Sequence, residues 1–190
     1  MNTSLVLASA SPRRRELLGR FRVPFEVDPA VGPEVIPPQA GPGDIVKALS
    51  LAKARETAQR HPGALVIGAD TVVALDDTVL GKPADAADAA RMLRALSGRA
   101  HKVYTGVSLV RDGETVSRAV ETAVYFRPLT EREIQAYIAT GEPMDKAGAY
   151  GIQGLASLFV EKIEGDYFNV VGLPLCALGE MLETMGVSLL

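Results

Sequence analysis

The chain has 190 residues, of which 47% are hydrophobic and 23% charged, with a formal net charge of −3. That length buries a substantial core in one domain, and the balance is that of a soluble globular protein, not a disordered one. The acidic excess excludes a general binder of nucleic acid or of membrane surfaces, so any anion site has to be a local cluster.

Leu5 to Ala8 is apolar and predicts a short buried strand. Ser11 is placed to cap the helix that follows, with Pro12 at its first position, where a missing N–H costs nothing. Arg13, Arg14 and Arg15 then fall in the first turn, where the helix dipole disfavours each cation by roughly 0.3–1 kcal/mol. Val23 to Val27 predicts a second strand. Pro29 to Pro42 holds five prolines and two glycines and reads as a loop. Asp44 is expected to cap a helix running to about Arg60. "ALVIGADTVVAL" (Ala64 to Leu75) is β-branched and apolar, as a central strand should be. "LGKPAD" is a turn, and Asp85 caps a helix through Leu96 that Gly98 ends. Val103 to Val110 and Thr115 to Phe126 are strands joined by an Asp112-Gly113 hairpin. Thr130 to Glu133 is a capping box opening a helix that stops at Gly141. "AGAYGIQGLA" is a glycine-spaced loop; Leu158 to Ile163 and Tyr167 to Val171 are predicted to pair around "EGD", before a last helix from Leu175 to Met185. The expectation is an α/β fold with a mixed sheet, in one domain over residues 1–190.

A single cysteine, Cys176, excludes an intrachain disulfide and a cysteine-based zinc cluster. No signal pattern opens the sequence, and no apolar run approaches the ~20 residues of a membrane span. The expected setting is the cytoplasm.

Four groups of residues are candidates for chemistry. The turn "SASPRRREL" combines serine hydroxyls, helix N–H groups and arginines, a set suited to a phosphate; the alternative is a basic surface turn. Asp70, inside an apolar strand, reads as a general base or metal ligand, or as a structural carboxylate. Strict alternation puts Asp70 and Thr71 on opposite faces, so a site using both needs the strand to end or bulge there. Lys53 falls on the apolar stripe of its helix, with Glu56 on the same stripe as a rival ion-pair partner; Lys82 sits in a tight turn soon after the Asp70 strand and reads as solvated. In "AYGIQGLA", Gly148, Gly151 and Gly154 allow close approach of a ligand, or simply shape a loop, and Gln153 lies among apolar neighbours in the sequence. His61 and His101 lie in no metal-spacing motif, and neither a Walker A loop nor a G-x-S-x-G elbow is present.

Taken in order, "LASASPRRRELL", the "KA" at Lys53, "VIGADTVV", "GKP", "MLRALSGRAHKVYTGVSL", "EPMDKAGAYGIQGLA" and "GDYFNVVGLPL" resemble the Maf family of nucleoside triphosphate pyrophosphatases. The resemblance implies an α/β domain similar to the inosine triphosphatases, with two lobes around a cleft. It implies hydrolysis of a nucleoside triphosphate to the monophosphate and pyrophosphate with a divalent cation, magnesium or manganese. Asp70 matches the family's proton acceptor, and Ser9, Arg13, Arg14, Lys53 and Lys82 match its phosphate-handling positions. Arg13, Thr71 and Gln153 match positions that go with substrate choice, and Glu34 and Asp70 are the implied metal ligands. The intact "AGAYGIQG" looks like the branch acting on dTTP and UTP. Rival readings are the sister branch acting on 7-methyl-GTP, and a division-linked regulator binding nucleotide or nucleic acid. Analogy further implies a homodimer, with neither a membrane nor a stable nucleic-acid partner.

Overall fold

A computed structural model describes residues 4–76 and 78–190. The strands are β1 (Leu5–Leu7), β2 (Phe25–Val27), β3 (Leu65–Leu75), β4 (Thr78–Leu80), β5 (Ala100–Arg111), β6 (Glu114–Phe126) and β7 (Val160–Glu164). The helices are α1 (Pro12–Leu18), α2 (Pro42–Ala58), α3 (Ala86–Leu96), α4 (Glu131–Ala139), α5 (Tyr167–Val171) and α6 (Leu175–Thr184). The strands form a mixed sheet in the order β2-β1-β3-β5-β6-β7, with β4 paired to β3. This is the α/β class that the interspersed strands and helices predict. No helix among the described residues is long and apolar enough to cross a membrane.

The chain divides into two compact units: residues up to Asp70 with Thr105–Val120 and Gly172–Leu190, and Thr71–Tyr104 with Glu121–Val171. In the first unit β1 is parallel to both neighbours, with Leu5 opposite Phe25 and Leu65 and with Leu7 opposite Val27 and Ile67. All three β1 residues are buried, as a strand inside a parallel sheet requires. Helix α2 lies directly on glycines of the sheet. A Cβ on Gly68 would stand 2.1 Å from the Ser50 carbonyl oxygen, and one on Gly106 would stand 2.1 Å from that of Val46. Val6, Ala8, Ala54, Ala64, Val66 and Val110 fill the space around this approach.

In the second unit the far part of β3 turns back on β4, with Val73 opposite Leu80. Helices α3 and α4 and three single turns of 3-10 helix bury one core that includes Leu93, Leu96, Phe126, Ile134 and Phe159. His101 is buried in it, with Nε2 2.7 Å from the Tyr150 hydroxyl. In the first unit, the Asp112-Gly113 hairpin has φ of +49° and +88°, the left-handed pair such a turn demands. The capping box at Thr130 and the Asp85 cap are both present.

Three elements differ from expectation, the first being β4 (Thr78–Leu80), for which the sequence predicts no strand. Gly41 rather than Asp44 caps α2, with Pro42 at the first position and Asp44 within the first turn, where its charge still favours the dipole. Tyr167–Val171 is a helix, and β7 pairs with β6 instead, Val124 opposite Ile163. The cause is a polar knot that propensity does not see. Asp166 Oδ1 accepts the Phe168 N–H, and Thr122 Oγ1 accepts from the Asp166 N–H while donating to its carbonyl. Buried Asn169 then donates to the Val103 carbonyl and to Thr122 Oγ1. Those bonds override the β preference of Tyr, Phe and Val.

Candidate active site

The end of β1 delivers the chain into a tight turn. Ser9 is buried there, and its Oγ accepts from the Ser11 N–H at 3.3 Å and from Arg14 Nη1 at 3.2 Å. Ser11 caps α1 by accepting the Arg14 N–H at 3.4 Å. Arg14 also donates through Nε to the Gly172 carbonyl at 2.7 Å. It is therefore an anchored, half-buried cation, whereas Arg15 is exposed. Burial pulls the Arg14 guanidinium below its ordinary value; Asp70 opposes that pull, Arg13 adds to it, and Glu34 opposes it. The arginine run thus has two half-buried members, Arg13 and Arg14, and Arg14 lies within electrostatic reach of two carboxylates.

Those carboxylates meet on one ammonium. Lys53 Nζ is 2.6 Å from Asp70 Oδ1 and 2.7 Å from Glu34 Oε1. Asp70 is 8% exposed, so its charge has been taken out of water and needs this partner. Glu34 reaches Lys53 from the proline-rich loop, with its side chain 58% exposed. The close seating of α2 on Gly68 brings Lys53 to the strand carrying Asp70. Gly68→Ala is accordingly expected to cost about 1–3 kcal/mol, because the nearest atom is a backbone oxygen of α2 and cannot swing aside. In open space the same substitution would stabilise by ~0.4–1 kcal/mol through the unfolded chain, so the sign of the change in urea midpoint decides the point.

Glu56, the rival partner for Lys53, faces the same loop. Its Oε1 accepts the Val31 N–H at 2.8 Å and its Oε2 the Gly32 N–H at 3.0 Å. The sequence reading missed this role, along with those of Gly68 and Gly106. An isolated glycine inside an apolar strand is the available signal for Gly68; nothing local announces Glu56.

The remaining predicted residues belong to the second unit. β3 runs unbroken through Asp70 and Thr71, so neither an end nor a bulge brings both side chains to one face. Lys82 is exposed in its turn, and that turn is held to the glycine loop by the Gly148 N–H donating to the Gly81 carbonyl at 3.0 Å. Gln153 is exposed, not packed among its apolar sequence neighbours. The three spaced glycines admit the protein's own side chains. A Cβ on Gly148 would meet Val73 at 2.9 Å, one on Gly151 Lys146 at 2.6 Å, and one on Gly154 the Glu142 carboxylate at 2.1 Å. Glu142 braces the loop by accepting from Tyr137 Oη and the Leu155 N–H, and Tyr137 Oη accepts the Gly151 N–H.

Comparison with known proteins identifies the family. A dTTP/UTP pyrophosphatase of Moorella thermoacetica is 57% identical over 98% of this chain and 97% of that protein. One of Symbiobacterium thermophilum is 53% identical over 96% and 94%. Among solved structures, a HAM1 protein from Coxiella burnetii has a TM-score of 0.47 at 18% identity, covering 65% of this chain and 73% of that one. The description of the Maf-like proteins matches residues 4–185, so the chain belongs to the Maf-like protein family.

Proposed function

We propose that this protein hydrolyses nucleoside triphosphates, dTTP and UTP foremost, to the monophosphate and pyrophosphate. The observation that carries the reading is the convergence of Glu34 and Asp70 on Lys53 within electrostatic reach of half-buried Arg14. A cluster of this composition suits phosphoryl chemistry, where the protein chiefly positions groups and offsets charge.

Asp70 is the proton acceptor for a water attacking the α-phosphorus. The O–P bond to the pyrophosphate leaving group breaks as the new one forms, and the water's proton goes to the carboxylate. Lys53 holds Asp70 Oδ1 in place. Arg13 and Arg14, with Ser9 as hydroxyl partner, offset the charge of the triphosphate. This explains why α1 carries arginines against its own dipole: they serve an anion, not the helix.

The donor set suits a divalent cation. Two carboxylates brought to one ammonium are hard oxygen ligands, and no cluster of three or more metal-binding side chains occurs among the described residues. Magnesium and manganese are commonly held by one or two carboxylates together with substrate phosphates. Glu34 and Asp70 would hold the ion, which when bound neutralises phosphate charge. Within the second unit, base choice is assigned to Thr71 and Gln153. A uracil or thymine edge presents two carbonyl acceptors around one N–H, and the exposed Gln153 carboxamide offers both a donor and an acceptor to such an edge.

Product analysis on a panel of nucleotides with magnesium or manganese tests the reaction. UTP and dTTP should yield monophosphate and pyrophosphate. Release of inorganic phosphate with a diphosphate product would move the attack to the γ position and sink the assignment. Preference for 7-methyl-GTP would shift the chain to the sister activity, and no turnover at all would favour a binding protein.

A further inference from the structure

Residues 31–36 are exposed throughout, including the apolar Val31, Val35 and Ile36, at 88%, 74% and 57%. Burial of side chains therefore does not hold this loop in place. Polar attachments to α2 do. Lys53 grips Glu34, and one turn further along the same face Glu56 grips the loop backbone. Two consecutive N–H groups pointing at one carboxylate form a small anion-binding nest, here filled by the protein's own side chain. Those bonds hold the Glu56 carboxyl below its ordinary range, the Val31 N–H contributing most. Arg60 extends the clasp, donating to the Pro29 carbonyl at 3.0 Å, to Asp28 Oδ2 at 2.8 Å and to Glu56 Oε1 at 3.5 Å. Gly32 fits the clasp for steric reasons, since a Cβ there would stand 2.6 Å from Glu56 Oε2.

We propose that Glu56 is a positioning residue: by holding the Val31 and Gly32 N–H groups it sets the proline-rich loop so that Glu34 stays on Lys53 beside Asp70. The proposal rests on the reading above, in which Glu34, Lys53 and Asp70 belong to the nucleotide site. Glu56 touches none of the reacting groups and acts only through Glu34.

The test is a double-mutant cycle on pyrophosphate release from UTP with magnesium. Glu56→Ala should lower kcat/KM by about 10- to 100-fold in the wild-type background, the range expected when a site group is misplaced by an ångström. In a Glu34→Ala background the same change should cost less than about twofold, because the group it positions is gone. Equal losses in both backgrounds overturn the proposal. Gly32→Ala approaches the contact from the other side; it should impair the wild type and be silent in Glu56→Ala, and harm in both overturns it. Hydrogen exchange gives a readout independent of activity. Backbone exchange over residues 29–36 should speed by about tenfold or more in Glu56→Ala, as loss of a charged hydrogen bond implies, with β1 and β3 unchanged. Unchanged exchange in the loop, or faster exchange throughout the unit, overturns the proposal. If the wild type turns over no nucleotide, the proposed function fails and exchange alone decides whether Glu56 anchors the loop.

Discussion

Asp70→Asn is expected to lower pyrophosphate release by about 10²–10⁴-fold while leaving the chain folded. The amide keeps the shape of a side chain that is 8% exposed, and its carbonyl oxygen still accepts from Lys53 Nζ. What it loses is the capacity to take a proton from water. Lys53 retains Glu34 as an anionic partner, so the substitution does not strand a cation. Steady-state kinetics and a urea midpoint measured side by side separate the outcomes. Near-normal turnover would make Asp70 a structural carboxylate and leave the mechanism without its base. Partial rescue by excess magnesium or manganese would make metal holding its main role. A large loss of stability would show instead that the Lys53 pair exists to hold the fold.

The elements with local signals were legible. Ser11-Pro12, Asp85, the Thr130 box and Asp112-Gly113 each carry their own stop or start chemistry, and each falls where expected. The mistaken strand has a different kind of cause. Tyr167–Val171 is helical because of Thr122 and Val103, more than forty residues earlier in the chain, and no window along the sequence holds both ends of that knot. The site divides in the same way. Lys53 on an apolar stripe and Asp70 in an apolar strand stand out as misplaced charges, and pairing them is what removes the cost of their burial. Glu56 on the same stripe reads as an ion-pair partner for Lys53, because its actual partners are backbone N–H groups that any residue carries. The glycine loop leaves two readings open for a related reason. A missing Cβ signals that something comes close, but not whether it is a ligand or, as here, Val73, Lys146 and Glu142.

Stability should fall by about 2 kcal/mol between pH 7 and pH 5, and His101→Gln should remove most of that slope. His101 is 2% exposed, and burial lowers its pKa from 6.5 to about 4. Its Nε2 is paired with Tyr150 Oη, while Nδ1 has no partner among the described residues, and the Phe126 and Tyr150 rings stand edge-on at 5.0 and 5.3 Å between centroids. A neutral imidazole tolerates this setting, whereas an imidazolium would bring a charge into an aromatic core and oblige both ring nitrogens to donate, Nδ1 with no acceptor among the described residues. The unfolded chain therefore binds a proton between pH 6.5 and about 4 that the folded chain refuses. The histidine contributes no penalty above the upper value; the penalty grows through the window and levels off below the lower one, at about 3 kcal/mol. Asp28, Glu131 and Glu133 are held near 2 by their arginine partners, so their contributions are lost at lower pH, as the carboxylates protonate, in a separate window. Gln at position 101 keeps a hydrogen-bonding group near Tyr150 Oη but does not titrate. Denaturant midpoints at pH 7 and pH 5 for the wild type and His101→Gln give the comparison, and an equal fall in both proteins would place the acid sensitivity elsewhere.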